Sequence, residues 1–458
     1  MRLTKLSLIT VVLIGSSAFA IENTKVSGDV KVLYGTMDSD AGTYLGNETS
    51  LFDAEGAYGD LAVDLSLTTD LTKGVSAGAK ATYVTTLGLE QNLVDNTWSN
   101  AHGITSNSGS SFGNPPTSGL QLDDTFFIGE LWVAGTAFDT TIKVGRQALD
   151  TPLAFTETWG IDANTFEAVV LINQSIPDTT LVATYVGKSN GSADDLATLS
   201  LSGSTYVSGS LNNISGAQAG YVSQGGKFNT FGTDGVYVAG VVNNSFKPLT
   251  MQAWYYSLQQ MATAYWLQAD IKCSLVPGLL IGAQFTEIDA DKLISGVDKD
   301  KAYSVMLGYE AKDVVAVKLA YSSVDDEGTI GVANVSTGNG AAASRNGSGA
   351  QTKLYTEMWW TSGSVSQIGA DSYSLTAETT LAGIDLFAGY YMADIKVASG
   401  STINANSDKE VTEIALTASK SFGPLDTSLA LIFDNVQDNV AVTDTDTTHL
   451  QVYLTYNF

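Results

Sequence analysis

The sequence predicts an all-β fold, a transmembrane antiparallel β-barrel of about eighteen strands with an inward-folded third loop. Three observations carry that prediction. Apolar and polar residues alternate with a period of two along most of the chain, tight turns and long loops succeed one another between the alternating segments, and the last segment ends on an aromatic residue, Phe458.

Arg2 and Lys5 form a basic head, residues 6–14 an apolar stretch, and Ala18-Phe19-Ala20 a small-residue ending. This is the layout of a secretory signal peptide, so residues 1–20 are expected to be removed and 21–458 to form a single barrel domain. A membrane anchor would need roughly 20 apolar residues, more than this stretch supplies. Further along, no segment reaches the roughly 18 apolar residues of a spanning helix. Yet 44% of the chain is hydrophobic. Apolar residues dispersed at every second position hide the lipid-facing surface of a barrel in this way.

The first strand shows Val26, Gly28, Val30, Val32 and Tyr34 on one parity and Ser27, Asp29 and Lys31 on the other. Leu61, Val63, Leu65 and Leu67 alternate with Asp60, Asp64 and Ser66, and Val75, Ala77, Ala79, Ala81 and Tyr83 with Ser76, Lys80 and Thr82. Further strands are expected near 125–134, 140–147, 165–173, 179–187, 234–243, 249–258, 262–272, 279–287, 301–311 and 314–324. The last five fall near 372–380, 384–395, 410–421, 425–435 and 449–458. Short connections (69–73, 134–139, 175–178, 244–248, 274–278, 312–313, 381–383, 422–424) fit periplasmic turns; long ones (35–52, 85–124, 148–164, 188–233, 325–371) fit outer loops. Proline tests this map, because it cannot donate to a sheet ladder. Pro177, Pro248, Pro277 and Pro424 fall in turns, and Pro115, Pro116 and Pro152 in loops. The segment 353–360 has some strand character, but accepting it would give an odd count, so it is assigned to the seventh loop. In the final strand Leu450, Val452, Leu454, Tyr456 and Phe458 share one face, and the terminal aromatic fits a signal read by the barrel-assembly machinery. Tyr34, Tyr83, Tyr185, Tyr255, Tyr309, Tyr321 and Tyr390 fall near strand ends, where interfacial girdles sit. A soluble β-sandwich explains neither feature.

With 22 basic and 48 acidic residues the chain has a net charge of −26, which argues against nucleic acid as a partner; it is the alternating apolar face of the strands that makes outer-membrane lipid the expected surroundings. Its single cysteine, Cys273, closes no internal disulfide, and two histidines, His102 and His449, offer little for a metal centre or an enzyme. No cofactor is expected. The wet face of the strands carries Asp29, Lys31, Asp64, Lys80, Glu130, Lys143, Glu167, Asp270, Lys272, Lys318, Glu378, Asp385 and Glu413. Charges of both signs in such number require a water-filled interior. The 148–164 loop holds Leu149, Pro152, Leu153, Phe155, Trp159 and Ile161, too apolar for a loop in water, so it is expected to fold inward. Its Asp150, Glu157 and Asp162 would then narrow the pore opposite a basic wall of Lys80, Lys143 and Arg146, with the acidic excess favouring cations. Strict alternation from Val144 would turn Arg146 outward unless the strand ends before it.

The run Val144-Gly-Arg-Gln-Ala-Leu-Asp-Thr-Pro-Leu153, with Asn164-Thr-Phe-Glu-Ala-Val-Val-Leu-Ile-Asn173 and Ile176-Pro-Asp-Thr-Thr-Leu181, resembles the major outer-membrane porin family of Campylobacter-type bacteria. The OprD-like porins are its wider relatives. The resemblance implies a homotrimer of eighteen-stranded barrels in the outer membrane of a Gram-negative bacterium, with passive diffusion of ions and small hydrophilic solutes past the third loop and a place for calcium at the constriction. A surface adhesin barrel is the rival reading. Ion conductance separates the two.

Overall fold

The computed structural model describes residues 22–40, 48–89, 93–94, 97–99, 101–104, 122–191, 222–230, 234–259, 262–290, 298–328, 331–337, 351–396, 408–439 and 443–458. The expected signal peptide, Pro115, Pro116 and much of the 85–124 and 188–233 loops lie outside the described residues.

Eighteen antiparallel strands close into one barrel: β1 (Glu22–Ser39), β2 (Ala57–Thr72), β3 (Val75–Thr85), β4 (Thr125–Ala137), β5 (Thr140–Gln147), β6 (Phe166–Asn173), β7 (Thr179–Ser189), β8 (Val236–Asn243) and β9 (Leu249–Leu258), then β10 (Ala262–Lys272), β11 (Leu279–Asp289), β12 (Asp300–Ala311), β13 (Val315–Val324), β14 (Ala370–Leu381), β15 (Ile384–Ile395), β16 (Lys409–Phe422), β17 (Leu425–Asp438) and β18 (Thr443–Asn457). Each strand pairs with its sequence neighbour. A two-residue piece, Asn229–Thr230, lies against the end of β7 as a nineteenth member of the sheet. Pairing of β1 with β18, from Asp29 opposite Asn457 to Ser39 opposite Thr447, removes the edges. The terminal residue completes this seam: the Phe458 N–H donates to the Gly28 carbonyl at 2.9 Å, and the Gly28 N–H to the Phe458 carbonyl at 3.0 Å. Closure satisfies the ladder without water, which is what allows a sheet to stand in hydrocarbon.

The parity read from the sequence is the parity of the wall. Tyr58, Asp60, Ala62 and Asp64 are buried toward the interior, while Leu61, Val63, Leu65 and Leu67 alternate with them on the outside. Exposed Leu131, Leu307, Leu319 and Leu375 continue the apolar outer belt. Tyr185 and Tyr237 (ring centroids 5.1 Å apart), Tyr255 and Tyr265 (5.2 Å), and Tyr321 and Tyr373 (4.9 Å) pair across neighbouring strands as part of the outer girdle. Tight turns set the register. Phe138 and Asp139 both take positive φ, 49° and 57°, matching the two-residue turn whose twist suits a hairpin.

Two bulges reset the parity locally. Lys80 faces Glu130 and Ala81 faces Ile128, so Gly129 is the extra residue in β4; Glu167 faces Lys188 and Ala168 faces Val186, so Gly187 is the extra residue in β7. A bulge re-aims the side chains beyond it. The wall is also uneven in height: β5, β6 and β8 have eight residues each, against eighteen in β1 and fifteen in β18.

These faces predict an asymmetric response to charge. Leu65→Arg or Leu431→Arg on the lipid side is expected to cost roughly 2 to 4 kcal/mol near the bilayer midplane, and Ser66→Arg on the inner face much less. Urea titration of the refolded barrel in lipid vesicles measures the difference, and equal losses at both faces would contradict the assigned sidedness.

Candidate pore constriction

Large apolar side chains also point inward, and the loops meet them there. After β5 the chain enters the barrel, where Leu149, Leu153, Ala154, Phe155 and Ile161 are all buried. The Thr156 N–H donates to the Leu149 carbonyl at 2.8 Å and the Thr151 hydroxyl to the Ala154 carbonyl at 2.7 Å, folding 149–156 on itself. The wall grips this loop through Tyr256 of β9, whose hydroxyl accepts the Leu153 N–H at 3.3 Å. The third loop therefore folds inward, as its apolar content predicts.

The seventh loop runs inside as well, and its side chains fasten the third. Asn334 acts as a strand partner to Phe155, with its amide donating to the Phe155 carbonyl at 2.8 Å and its carbonyl accepting the Phe155 N–H at 3.2 Å. Further along, the segment 351–361 lies as a strap across the inner wall. Its ties are Lys353 and Tyr355 to Gln284 of β11, the Tyr355 hydroxyl to Asp270 of β10, Thr356 to Ser322 of β13, and Trp359, Trp360 and Thr361 to Glu413 of β16. Gly282 gives the Tyr355 ring room, since a side chain there would collide with it. Trp360 lies against His449 with ring centroids 4.3 Å apart and joins Tyr58, Trp98, Trp159 and Tyr453 in an aromatic cluster.

The second loop is latched by charge. His102 sits between the carboxylate of Asp60 on β2 (Nε2 to Oδ1, 2.8 Å) and the Asp123 carbonyl (Nδ1, 3.0 Å). A carbonyl accepts only from N–H, so the ring donates through Nδ1 and can hold Asp60 as an imidazolium. Burial alone would lower the His102 pKa, but the hydrogen bond and charge of Asp60 outweigh it and raise it to about 9. Trp98 donates its backbone N–H to the other Asp60 oxygen at 3.1 Å, and Ser99 donates its hydroxyl to Asp162 of the third loop at 2.7 Å. Burial pushes the Asp162 carboxyl up to about 6, with the Asp60 charge adding to it.

The carboxylates expected at the constriction thus have different fates. Asp150 is open to solvent, its side chain 84% exposed, and pairs with Lys353 at 2.9 Å. Glu157 and Asp162 do not face the passage. Glu157 is buried and accepts from Trp159 Nε1 (2.8 Å), Asn334 Nδ2 (2.9 Å), the Gln351 N–H (3.2 Å) and the Thr337 hydroxyl, fastening loop to loop. Burial pushes its carboxyl up, and those donors pull against the shift.

Nor do the basic residues form a separate wall. Lys80 lies 4.0 Å from Asp64 and 3.8 Å from Glu130, and Lys31 lies 2.8 Å from Asp64 and 3.4 Å from Asp29, so cations and anions interleave. Lys143 stacks over the Trp132 ring at 4.2 Å. Arg146 and Glu167 point outward, in correction of their expected places: both share the outer face with Leu131, Val144 and Val169, as unbroken alternation along β5 and β6 requires. Toward the short-turn end of the barrel Lys318 and Glu378 pair at 3.1 Å on the inner face, yet remain 41% and 51% exposed. Asp29, Lys31, Asp64, Lys80, Glu130, Lys318 and Glu378 all lie on the inner face.

A scan against protein-family models finds no match, nor does a comparison of the sequence with curated proteins. Solved structures of outer-membrane porins do match in shape. OccK8 (OprE) of Pseudomonas aeruginosa superposes with a TM-score of 0.66 at 15% identity, over 96% of this chain and 99% of that one. OccK9 (OpdG) of the same organism gives 0.65 at 14%, over 96% and 100%. OccAB3 of Acinetobacter baumannii gives 0.63 at 14%, over 95% and 100%. This chain shares their eighteen-stranded porin fold.

Calcium finds no cage in the expected trio. Asp150, Glu157 and Asp162 take separate partners, the Glu157 oxygens are filled by N–H and O–H donors, and no cluster of three or more His, Cys, Asp or Glu suited to a metal occurs among the described residues. The sequence reading missed the strap. Its signal was the run Lys353-Leu-Tyr-Thr-Glu-Met-Trp-Trp360, as rich in large side chains as the third loop.

Proposed function

We propose that the chain is an outer-membrane porin of a Gram-negative bacterium that lets ions and small hydrophilic solutes diffuse passively, with preference for cations. The observation that carries this reading is the inner wall itself. Charged side chains of both signs line it from β1 through β4 and again at β13 and β14, and they keep contact with solvent although they point into the barrel. A lumen with the dielectric of a protein core would not hold them in that number. The third loop and the 351–361 strap narrow the passage above this vestibule, and Asp150 with Lys353 is the exposed ion pair at their junction. The acidic excess of the chain supports cation preference, because a confined water column focuses the field of its walls.

The resemblance of the 144–181 runs to the Campylobacter-type major porins supports a finer reading. It extends the proposal to a homotrimer and to recognition of Phe458 during assembly.

Planar bilayers in a KCl gradient test the core of the reading. Stepwise conductance is expected, with a reversal potential of cation-selective sign, and Asp150→Asn is expected to move that potential toward zero. A folded barrel that gives no steps would leave the adhesin reading in its place.

A further inference from the structure

Near the loop ends of β5, β6 and β7, the outer wall carries an ionic group that the lumen does not use. Arg146 donates through Nε to one oxygen of Glu167 at 3.1 Å, and Lys188 Nζ lies 3.5 Å from the other. A second contact, from Arg146 Nη1 to the Ile128 carbonyl at 3.0 Å, and the Phe228 ring 4.2 Å from the guanidinium carbon fix the orientation of the arginine. Lys188 reaches this face only because of the Gly187 bulge. Thr184 and Val186 point inward, and unbroken alternation would send Lys188 after them. Below the charges lies a groove of about 450 Å³ lined by Leu131, Val144, Val169 and Tyr185, side chains of the lipid-facing belt and girdle.

Two cations here share one carboxylate. Elsewhere on the outer face the arrangement differs: Lys299 touches both Glu287 (2.7 Å) and Asp289 (3.4 Å), and Lys396 has Asp371 at 2.6 Å. Fixed cations at the boundary of hydrocarbon and headgroups attract an anion that can stay there, and a guanidinium beside an ammonium is a strong phosphate receptor. The anion must also satisfy the aliphatic floor directly beneath.

We propose that Arg146 and Lys188 bind the phosphate of a phosphorylated lipid of the outer leaflet, whose acyl chain lies in the groove over Leu131, Val144 and Val169. The inference rests on the orientation adopted above, with long loops outside, and is independent of what the lumen passes. Glu167 spaces the two cations and moderates affinity; Phe228 holds the guanidinium flat.

Native mass spectrometry of the full chain in neutral detergent, titrated with diphosphorylated lipid A, tests this. The parent is expected to retain one lipid A, and Arg146→Gln with Lys188→Gln to weaken retention about tenfold or more. Phe228→Ala, outside the ladder, is expected to weaken it less. Glu167→Gln is expected to strengthen it, an effect that misfolding cannot imitate, while heat-modifiable gel migration reports the folded barrel. Unchanged retention by the double variant, or equal retention of dephosphorylated lipid A by the parent, overturns the proposal. Full competition by inorganic phosphate overturns it too, by marking a free-anion site. A double variant that falls from oligomer to monomer while binding lipid A as before would reassign the face to contact between copies. Conductance is read separately: a conducting parent that binds no lipid A sinks this inference alone, and a lipid-binding parent that does not conduct sinks the porin reading alone.

Discussion

Glu413→Ala is expected to release the 351–361 strap and raise single-channel conductance severalfold while the barrel stays folded. The carboxylate is 1% exposed and takes four donors from one turn of chain: the N–H groups of Trp359 (2.8 Å), Trp360 (3.1 Å) and Thr361 (2.7 Å) and the Thr361 hydroxyl (2.8 Å). Hydrogen bonds to a charged group contribute roughly 1.5 to 3 kcal/mol each, and deleting the acceptor orphans buried donors, so the anchor is expected to weaken by about 3 to 5 kcal/mol. The ladder survives, because the backbone pairing of Glu413 with Tyr391 and Asp434 does not use its side chain. Glu413→Gln keeps one acceptor oxygen for the Trp360 N–H, which reaches both carboxylate oxygens, but turns an amide against the donor of Trp359 or those of Thr361, and an intermediate loss is expected. Conductance and limited proteolysis of the strap measure both variants. Parental values for Glu413→Ala would show that the ties at Lys353, Tyr355 and Thr356 hold the strap without it.

The strand map was legible because the physics that writes it is local. Side chains of one wall alternate between lipid and lumen, so eighteen segments and most of their facing could be read from parity, and their turns from connection length and proline placement. One local feature was silent. A single extra residue at Gly187 reverses the facing of Lys188, and nothing in the run Tyr185-Val-Gly-Lys188 announces it. At Arg146 and Glu167 the parity was readable and pointed outward; the expectation that charge seeks the lumen displaced it. The third loop was readable from its apolar side chains. Its carboxylates were not, because the same apolar contacts that draw the loop inward carry Glu157 and Asp162 out of water. The donors that meet Glu157 come from Asn334, Thr337 and Gln351, far along the chain, and no spacing in one sequence relates them. The same holds for the strap, whose aromatic run was visible while its destination on Gln284 and Glu413 was not.

The remaining expectation concerns pH, and follows from three buried ionisable groups where the second and third loops meet β2. Asp60 comes from the wall, His102 from the second loop and Asp162 from the third, with the Ser99 hydroxyl on Asp162 as the neutral bridge. The His102 pKa is raised from an ordinary 6.5 to about 9, so the folded loop holds its proton more tightly than the released loop does. Its contribution is therefore complete below the unfolded value and lost as pH rises through about 9. Asp162, raised to about 6, acts in the same direction over a lower window, losing stability as pH rises through that value. Above pH 9 a neutral imidazole would leave two buried carboxylates facing each other without a cation, and the loops are expected to part from the wall. The closed-to-open ratio of the latch is expected to fall on the order of a hundredfold between pH 6.5 and 9.5. Hydrogen exchange of the Trp98 and Ala101 amides follows that ratio once intrinsic exchange is corrected for pH, with amides of β16 and β17 as the unmoved reference. His102→Gln, which can still donate to Asp60 but cannot titrate, is expected to flatten the dependence. A parent whose corrected exchange at Trp98 is constant across this range would show that the latch holds without the imidazolium.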